Sequence, residues 1–233
     1  IISMMDAVKQ LTGLAAKADG KDKIISTMQY AALLIGGGEP GNALLVQKSL
    51  SSARKPFRFV KPVEQLLPLF GPPKKGPAPL VMLAQVKSLA MASYFAFDHI
   101  VWMVQAGLIK DKEVMTKAQK IEFWSWFVGS CSTIMLEAAA MAQLAGASKR
   151  LRDDATEEEK AAAKAEQEEA IAAAQKKLLP IAIATLNASV ALSLLGKTGF
   201  HPRVVGLLGM TSGLMQVYSL TPPRPAPAKA KSA

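Results

Sequence analysis

Apolar residues recur every three or four positions through the first part of the chain. Met4, Val8, Leu11 and Leu14, then Ile24, Met28, Ala31, Leu34 and Ile35, predict helices over residues 4 to 35. The string "GGGEPG", 36 to 41, ends them, because consecutive glycines and Pro40 do not continue a helix. In the following stretch, 42 to 70, Val46, Leu50, Ala53, Phe57 and Val60 share one helical face, with Lys48, Lys55, Arg58 and Lys61 away from its centre. That pattern predicts a basic amphipathic segment. Pro56, Pro62 and Pro68 each remove a backbone donor and crowd the preceding turn, so the helix is expected to run to about residue 55 and then break into kinked or short turns. "GPPKKGPAP", 71 to 79, reads as a stiff basic linker.

From Ser88 to Ile109 the pattern becomes continuously apolar, and Asp98 is its only formal charge. Such a run is long enough to cross the ~30 Å hydrocarbon core of a bilayer as a helix. Residues 123 to 136, "FWSWFVGSCSTIML", carry no charge but are too short to span unless Glu137 is buried or the Ala-rich continuation is included. Residues 149 to 177 mix seven Lys or Arg with eight Asp or Glu among alanines, which predicts a water-exposed helix with pairs such as Lys164 and Glu168. Uncharged runs then occupy Leu178 to Leu195 and Val204 to Leu220, joined by "GKTGFHPR", which predicts a membrane-embedded helical hairpin over 178–220. The tail, 221 to 233, has too little apolar surface to fold alone. The expected organisation is a helical unit at 1–41, the basic segment and linker at 42–79, apolar helices at 80–148, the charged helix at 149–177, the hairpin and the tail. The fold class is all-α: a helical membrane protein with amphipathic helices and a C-terminal apolar hairpin.

Composition leaves the membrane reading open. Half of the 233 residues are apolar, aromatics make up only 6%, and mean hydropathy is +0.20. The net charge of +10 favours an anionic partner. No basic stripe interleaved with aromatics appears, so anionic membrane lipid is expected and nucleic acid is not. A single cysteine, Cys131, rules out an intramolecular disulfide framework. Asp6 and Lys9 interrupt the apolar start, unlike a secretory signal. Lys176 and Lys177 before the hairpin and Arg224, Lys229 and Lys231 after it outnumber Lys197 and Arg203 in its loop, so the positive-inside rule places both ends in the cytosol.

The chemistry-bearing residues do not converge on an active site. Asp98 and His99 point about 100° apart on a helix, and His201, the other histidine, has no ligand cluster around it, so no catalytic residue, metal or cofactor is expected. "GKTG" lacks the upstream glycine of a phosphate loop, Ala191 standing there instead. Cys131 reads as a packing position. Gly209 and Gly213 form a small-xxx-small pair that would let another helix approach closely. An ionised Asp98 facing lipid would be costly, so Asp98 is expected to face other helices and meet a Lys, Arg, Ser or backbone partner, with His99 joining helices in the same way.

The strings "IISTMQYAALLIGGGEPG", "KSLSSARKPFRFVKPVEQL", "FDHIVWMVQAGLI" and "HPRVVGLLGMTSGLMQVYSL", in that order, resemble the peroxisomal biogenesis factor 11 family, the membrane-elongating peroxins. The resemblance implies a non-enzymatic protein of the peroxisomal membrane with both termini cytosolic. It also implies that the 42–70 segment lies in one leaflet and elongates the membrane before fission. The inserting face would be Val46, Leu50, Phe57 and Val60, with Lys48, Arg54, Lys55, Arg58 and Lys61 meeting lipid headgroups or an acidic partner. The expected partners are further copies of the chain or other membrane proteins. The alternative is an accessory subunit of a large membrane complex, for example in the mitochondrial inner membrane, built on the same scaffold.

Overall fold

The computed structural model describes residues 4–72, 75–146 and 157–221. Among them are α1 (Met4–Ala15), α2 (Ala18–Gly36), α3 (Asn42–Ala53), a 3₁₀ turn (Lys55–Arg58), α4 (Lys61–Phe70), α5 (Ala78–Gln105), α6 (Lys112–Gly146), α7 (Glu157–Leu194) and α8 (Pro202–Leu220). No strand occurs among the described residues. The basic tail from residue 222, the first part of the charged segment at 149–156, and Pro73 and Lys74 of the linker lie outside them.

Local chemistry sets the breaks. Gly37 closes α2 in a left-handed conformation (φ 63°), and its N–H reaches the Leu33 carbonyl. Pro56 and Pro62 each sit in the first turn of their element, where an N–H is not needed, so the 42–70 segment divides into α3, the 3₁₀ turn and α4. His201 caps α8, its Nδ1 accepting from the Arg203 N–H at 3.2 Å.

The short apolar run at 123–136 is the middle of a 35-residue helix, α6. Residues 157–177 and the apolar run that follows form one unbroken helix, α7, with Pro180 inside it. Among the described residues three stretches are long and apolar enough to cross a membrane: Ala78–Gln105, Lys112–Leu144 and Lys160–Leu194. Only 22, 17 and 22% of the most apolar part of each is buried, leaving wide apolar flanks that suit lipid better than water. Glu137 on α6 meets Lys177 on α7 at 3.0 Å, which pairs the acid in the middle of the apolar surface.

The helices α5, α6 and α7 pack side by side, with α6 central. The other large interface joins α2 to α8. Thus α7 and α8 form the two arms of a C-terminal hairpin, tied by a Ser212–Asn187 hydrogen bond of 2.7 Å, yet α8 lies more extensively on α2 than on α7. A small core of Tyr30, Val190 and Val205, flanked by Leu33, Trp126, Leu208 and Met210, ties the two groups together. The end of α8 returns to the beginning of α2: Leu220 lines a recess with Leu14, Lys17, Phe57 and Lys61.

Candidate functional site

The segment from α3 to α4 presents two opposite kinds of surface. Inward, the 3₁₀ turn drives three cations between α2 and α5. Arg54 donates from Nε to Asp22 at 3.1 Å and from Nη1 to Ser26 and Gln29 at 2.6 and 2.9 Å. Arg58 reaches Asp22 at 2.7 Å, Asp98 at 3.0 Å and the Tyr94 hydroxyl at 3.0 Å. Lys55 donates to the second Asp98 oxygen. All five charged residues are buried, Asp98 to 1% exposure. Each cation is paired with a carboxylate, three cations sharing two carboxylates, which is the condition for tolerating ions away from water.

Burial alone would raise the Asp22 pKa, but the charges and hydrogen bonds of Arg58 and Lys23 outweigh it and hold the carboxyl below its ordinary value. At the edge of this cluster Lys61 bonds Asp19 and Glu64, both at 2.8 Å. Partial burial pulls its pKa down, and these hydrogen bonds more than reverse that, so the ammonium ends above its usual value.

Outward, Phe59, Val63, Leu67 and Phe70 follow one another at spacings of four, four and three, a single stripe along α4 and the residues leading into it. They are 75, 63, 61 and 82% exposed. The opposite face of α4 packs on α5, where Leu69 meets a recess formed with Val81, Ala84 and Ser88. α4 is therefore apolar on both sides, one used by the bundle and one left open.

The structure places the expected residues differently from the single-helix pattern. Val46 and Leu50 lie on α3, Phe57 in the 3₁₀ turn and Val60 between that turn and α4, so these four do not share one helix. Val46, Phe57 and Val60 are exposed, Leu50 is half-buried, and the Phe57 ring lies under the Lys21 ammonium at 5.8 Å. Of the five cations expected at headgroups, Arg54, Lys55 and Arg58 are turned inward, Lys61 is held by two carboxylates, and Lys48 stands exposed. The reason is the break before Pro56: a 3₁₀ turn rotates the three cations off the surface that a continuing α-helix would give them.

Asp98 meets Lys55 and Arg58, and His99 packs edge-on against Phe59, ring centres 5.7 Å apart. Gly209 and Gly213 face α2: a methyl built on Gly209 would lie 2.3 Å from the Tyr30 ring, and one on Gly213 2.4 Å from the Thr27 hydroxyl.

Sequence reasoning passed over Asp22, Glu122 and Gly206. Asp22, Ser26 and Gln29 are spaced four and three apart on α2, a polar line opposite its apolar stripe that signals a buried partner. Glu122, 5% exposed, comes from α6 to the same region as Asp98. Gly206 continues the glycine seam, with a built methyl 2.4 Å from the Leu34 nitrogen.

Comparison with known proteins takes in nearly all of the described chain. The family model for peroxisomal biogenesis factor 11 matches residues 8–221. The chain is 34% identical to peroxisomal membrane protein 11-5 of Oryza sativa subsp. japonica, covering 92% of each. It is 32% identical to peroxisomal membrane protein 11D of Arabidopsis thaliana, over 90% of this chain and 89% of that one. Identity to rice peroxisomal membrane protein 11-1 is 30%, over 99% and 100%. No solved structure gives a significant match. A match that begins in α1 and ends just past α8 takes in the clamp, the stripe and the glycine seam alike, and the chain belongs to the peroxisomal biogenesis factor 11 family.

Proposed function

We propose that this protein is a non-enzymatic component of the peroxisomal membrane that elongates it by lodging the outer face of α4 in one leaflet. The observation that carries this reading is the exposed Phe59, Val63, Leu67 and Phe70 stripe on a short helix clamped at its root by buried ion pairs. Family membership and the names of the relatives support the peroxisomal setting. Burying each of the four side chains is worth about 1.5–3 kcal/mol, enough together to hold α4 in the interfacial layer. A helix wedged into one leaflet expands it relative to the other and bends the sheet. The inward cations fix where the wedge sits, and exposed Lys48 with the edge Lys61 face anionic headgroups.

With α5, α6 and α7 crossing the bilayer and α8 folding back along α2, the start of α2 and the end of α8 lie on one side, and that side faces the cytosol. Further copies of the chain gather at the elongating membrane.

The test is a fluorescent fusion expressed in cells with labelled peroxisomes. The expected result is peroxisomal signal and elongated organelles, with Val63→Asp/Leu67→Asp keeping the location and losing the elongation. Equal elongation by the double variant, or signal confined to another organelle, would overturn the proposal.

A further inference from the structure

Behind the clamp, between α2 and α3 on one side and α5 and α6 on the other, lies a cavity of about 630 Å³. The charges around it do not cancel. Lys48, Arg54, Lys55 and Arg58 all line it, whereas the acids facing them supply less. Glu122 is hydrogen-bonded to Asp98, and two carboxyls joined in this way hold a proton between them, so the pair counts as a single negative charge. Asp22, which bonds Arg54 and Arg58 from outside the cavity, adds one more. The surplus is positive and favours an anionic ligand.

Donors for such a ligand are in place. Arg54 is 8% exposed and bonds its neighbours from Nε and Nη1, which leaves its Nη2 donors uncommitted among the described residues. Exposed Lys48 stands at the rim with no ion pair among the described residues. A guanidinium edge and a lysine together suit a phosphate. The rest of the polar wall is neutral: Gln47 of α3, Gln105 of α5 and Gln119 of α6 line the cavity and make no hydrogen bond among the described residues. Ser51 and Ser52 make none either, although hydroxyls on other helices, such as Thr27 and Thr133, bond the carbonyl four residues back. Amides and hydroxyls both donate and accept, as the hydroxyls of a polyol do.

We infer that this cavity binds a phosphorylated polyol, with the phosphate at Arg54 and Lys48 and the hydroxyls at Gln47, Gln105 and Gln119. A phosphate ion alone would fill a small part of the volume and leave the amides unused. The chemistry is shared by the headgroup of an inositol lipid and by free sugar or inositol phosphates. The site is separate from the α4 stripe, so it stands or falls independently of membrane insertion.

The experiment is calorimetric titration of the delipidated full-length chain, in a polyoxyethylene detergent that carries no sugar, with myo-inositol 1-phosphate, glucose 6-phosphate, inorganic phosphate and myo-inositol. At least one of the two esters should bind saturably and about tenfold more tightly than phosphate, with no measurable binding of myo-inositol. Lys48→Glu, at an exposed position that does not threaten folding, should weaken ester and phosphate alike by roughly tenfold. Gln119→Ala should weaken the ester about fivefold, the share of one hydrogen bond, and leave phosphate unchanged.

Native mass spectrometry of the chain taken from nanodiscs of phosphatidylcholine and phosphatidylinositol separates the sources. One retained phosphatidylinositol per chain, lost in Lys48→Glu, identifies a lipid headgroup. Saturable binding of an ester without retained lipid identifies a soluble ligand. Binding of phosphate as tightly as either ester would overturn the inference, as would the absence of both saturable binding and retained phosphatidylinositol. So would indifference of folded Lys48→Glu and Gln119→Ala chains.

Discussion

The 3₁₀ turn and α4 are neighbours in the chain and opposites in chemistry. Lys55–Arg58 turns its cations into the bundle, where Asp22 and Asp98 neutralise them, while Lys61–Phe70 turns phenylalanine, valine and leucine outward. A soluble protein would reverse both choices. The difference teaches that charge in this segment serves anchorage and apolar surface serves contact with the surroundings. A basic amphipathic stretch in a sequence does not by itself say which of its residues meet the membrane.

The comparison breaks most severely at the inner half. Asp98→Ala would strand Lys55 and Arg58, and removing one partner of a buried ion pair costs about 3–5 kcal/mol. Thermal unfolding in detergent should show a large drop, and Asp22→Ala a similar one because Arg54 and Arg58 both rest on it.

Next is the seam that supports the clamp from behind. Gly209→Leu must displace the Tyr30 ring, separating α8 from α2, at about 1–3 kcal/mol for overpacking. Cross-linking between α2 and α8 cysteine pairs should fall accordingly.

At the outer half the effect reverses in kind. Val63→Asp/Leu67→Asp should leave the unfolding free energy within about 0.5 kcal/mol of wild type, as expected at exposed positions, and abolish tubulation of vesicles by the purified chain.

Acidity sharpens the contrast through Asp22. Its folded pKa lies below its unfolded one, so the unfolded chain binds more protons in the acid range, and the stabilisation is present above the unfolded value of ~3.9 and lost as pH falls through the folded value. Unfolding temperature from this group should be level between pH 5 and 7 and decline below pH 4.

The smallest effect concerns salt. With three of five cations internal, Lys48→Ala should lower affinity for anionic vesicles only about fivefold, the share of one lysine near the surface. A drop of several hundredfold on adding salt would mean that the inner cations reach lipid after all.

Much of this was legible beforehand. Helical spacing marked α2, a continuous apolar run marked the greater part of α5, the GGGEPG string marked the end of α2, and the prolines marked the break-up of 42–70. The requirement that Asp98 find a polar partner on another helix followed from the cost of a bare charge among apolar residues. Its partners could not be read, because Arg58 and Lys55 lie 40 and 43 positions away and belong to a segment whose spacing assigned them to a surface. Asp22 was hidden for the same reason, its polar line on α2 having meaning only once Arg54 and Arg58 arrive from across the fold. The stripe at Phe59, Val63, Leu67 and Phe70 was visible as spacing, but a helix interrupted by Pro62 and Pro68 gave little ground for preferring it to Val46, Leu50, Phe57 and Val60.

By itself the sequence determined an all-helical chain with apolar runs of membrane length, because hydrophobic period and run length are local properties that no packing can reverse. Only the tertiary structure decided which side of the 42–70 segment is inside. That choice turns on a few tens of degrees of rotation at the 3₁₀ turn, and the rotation is fixed by two carboxylates on distant helices that must be neutralised away from water.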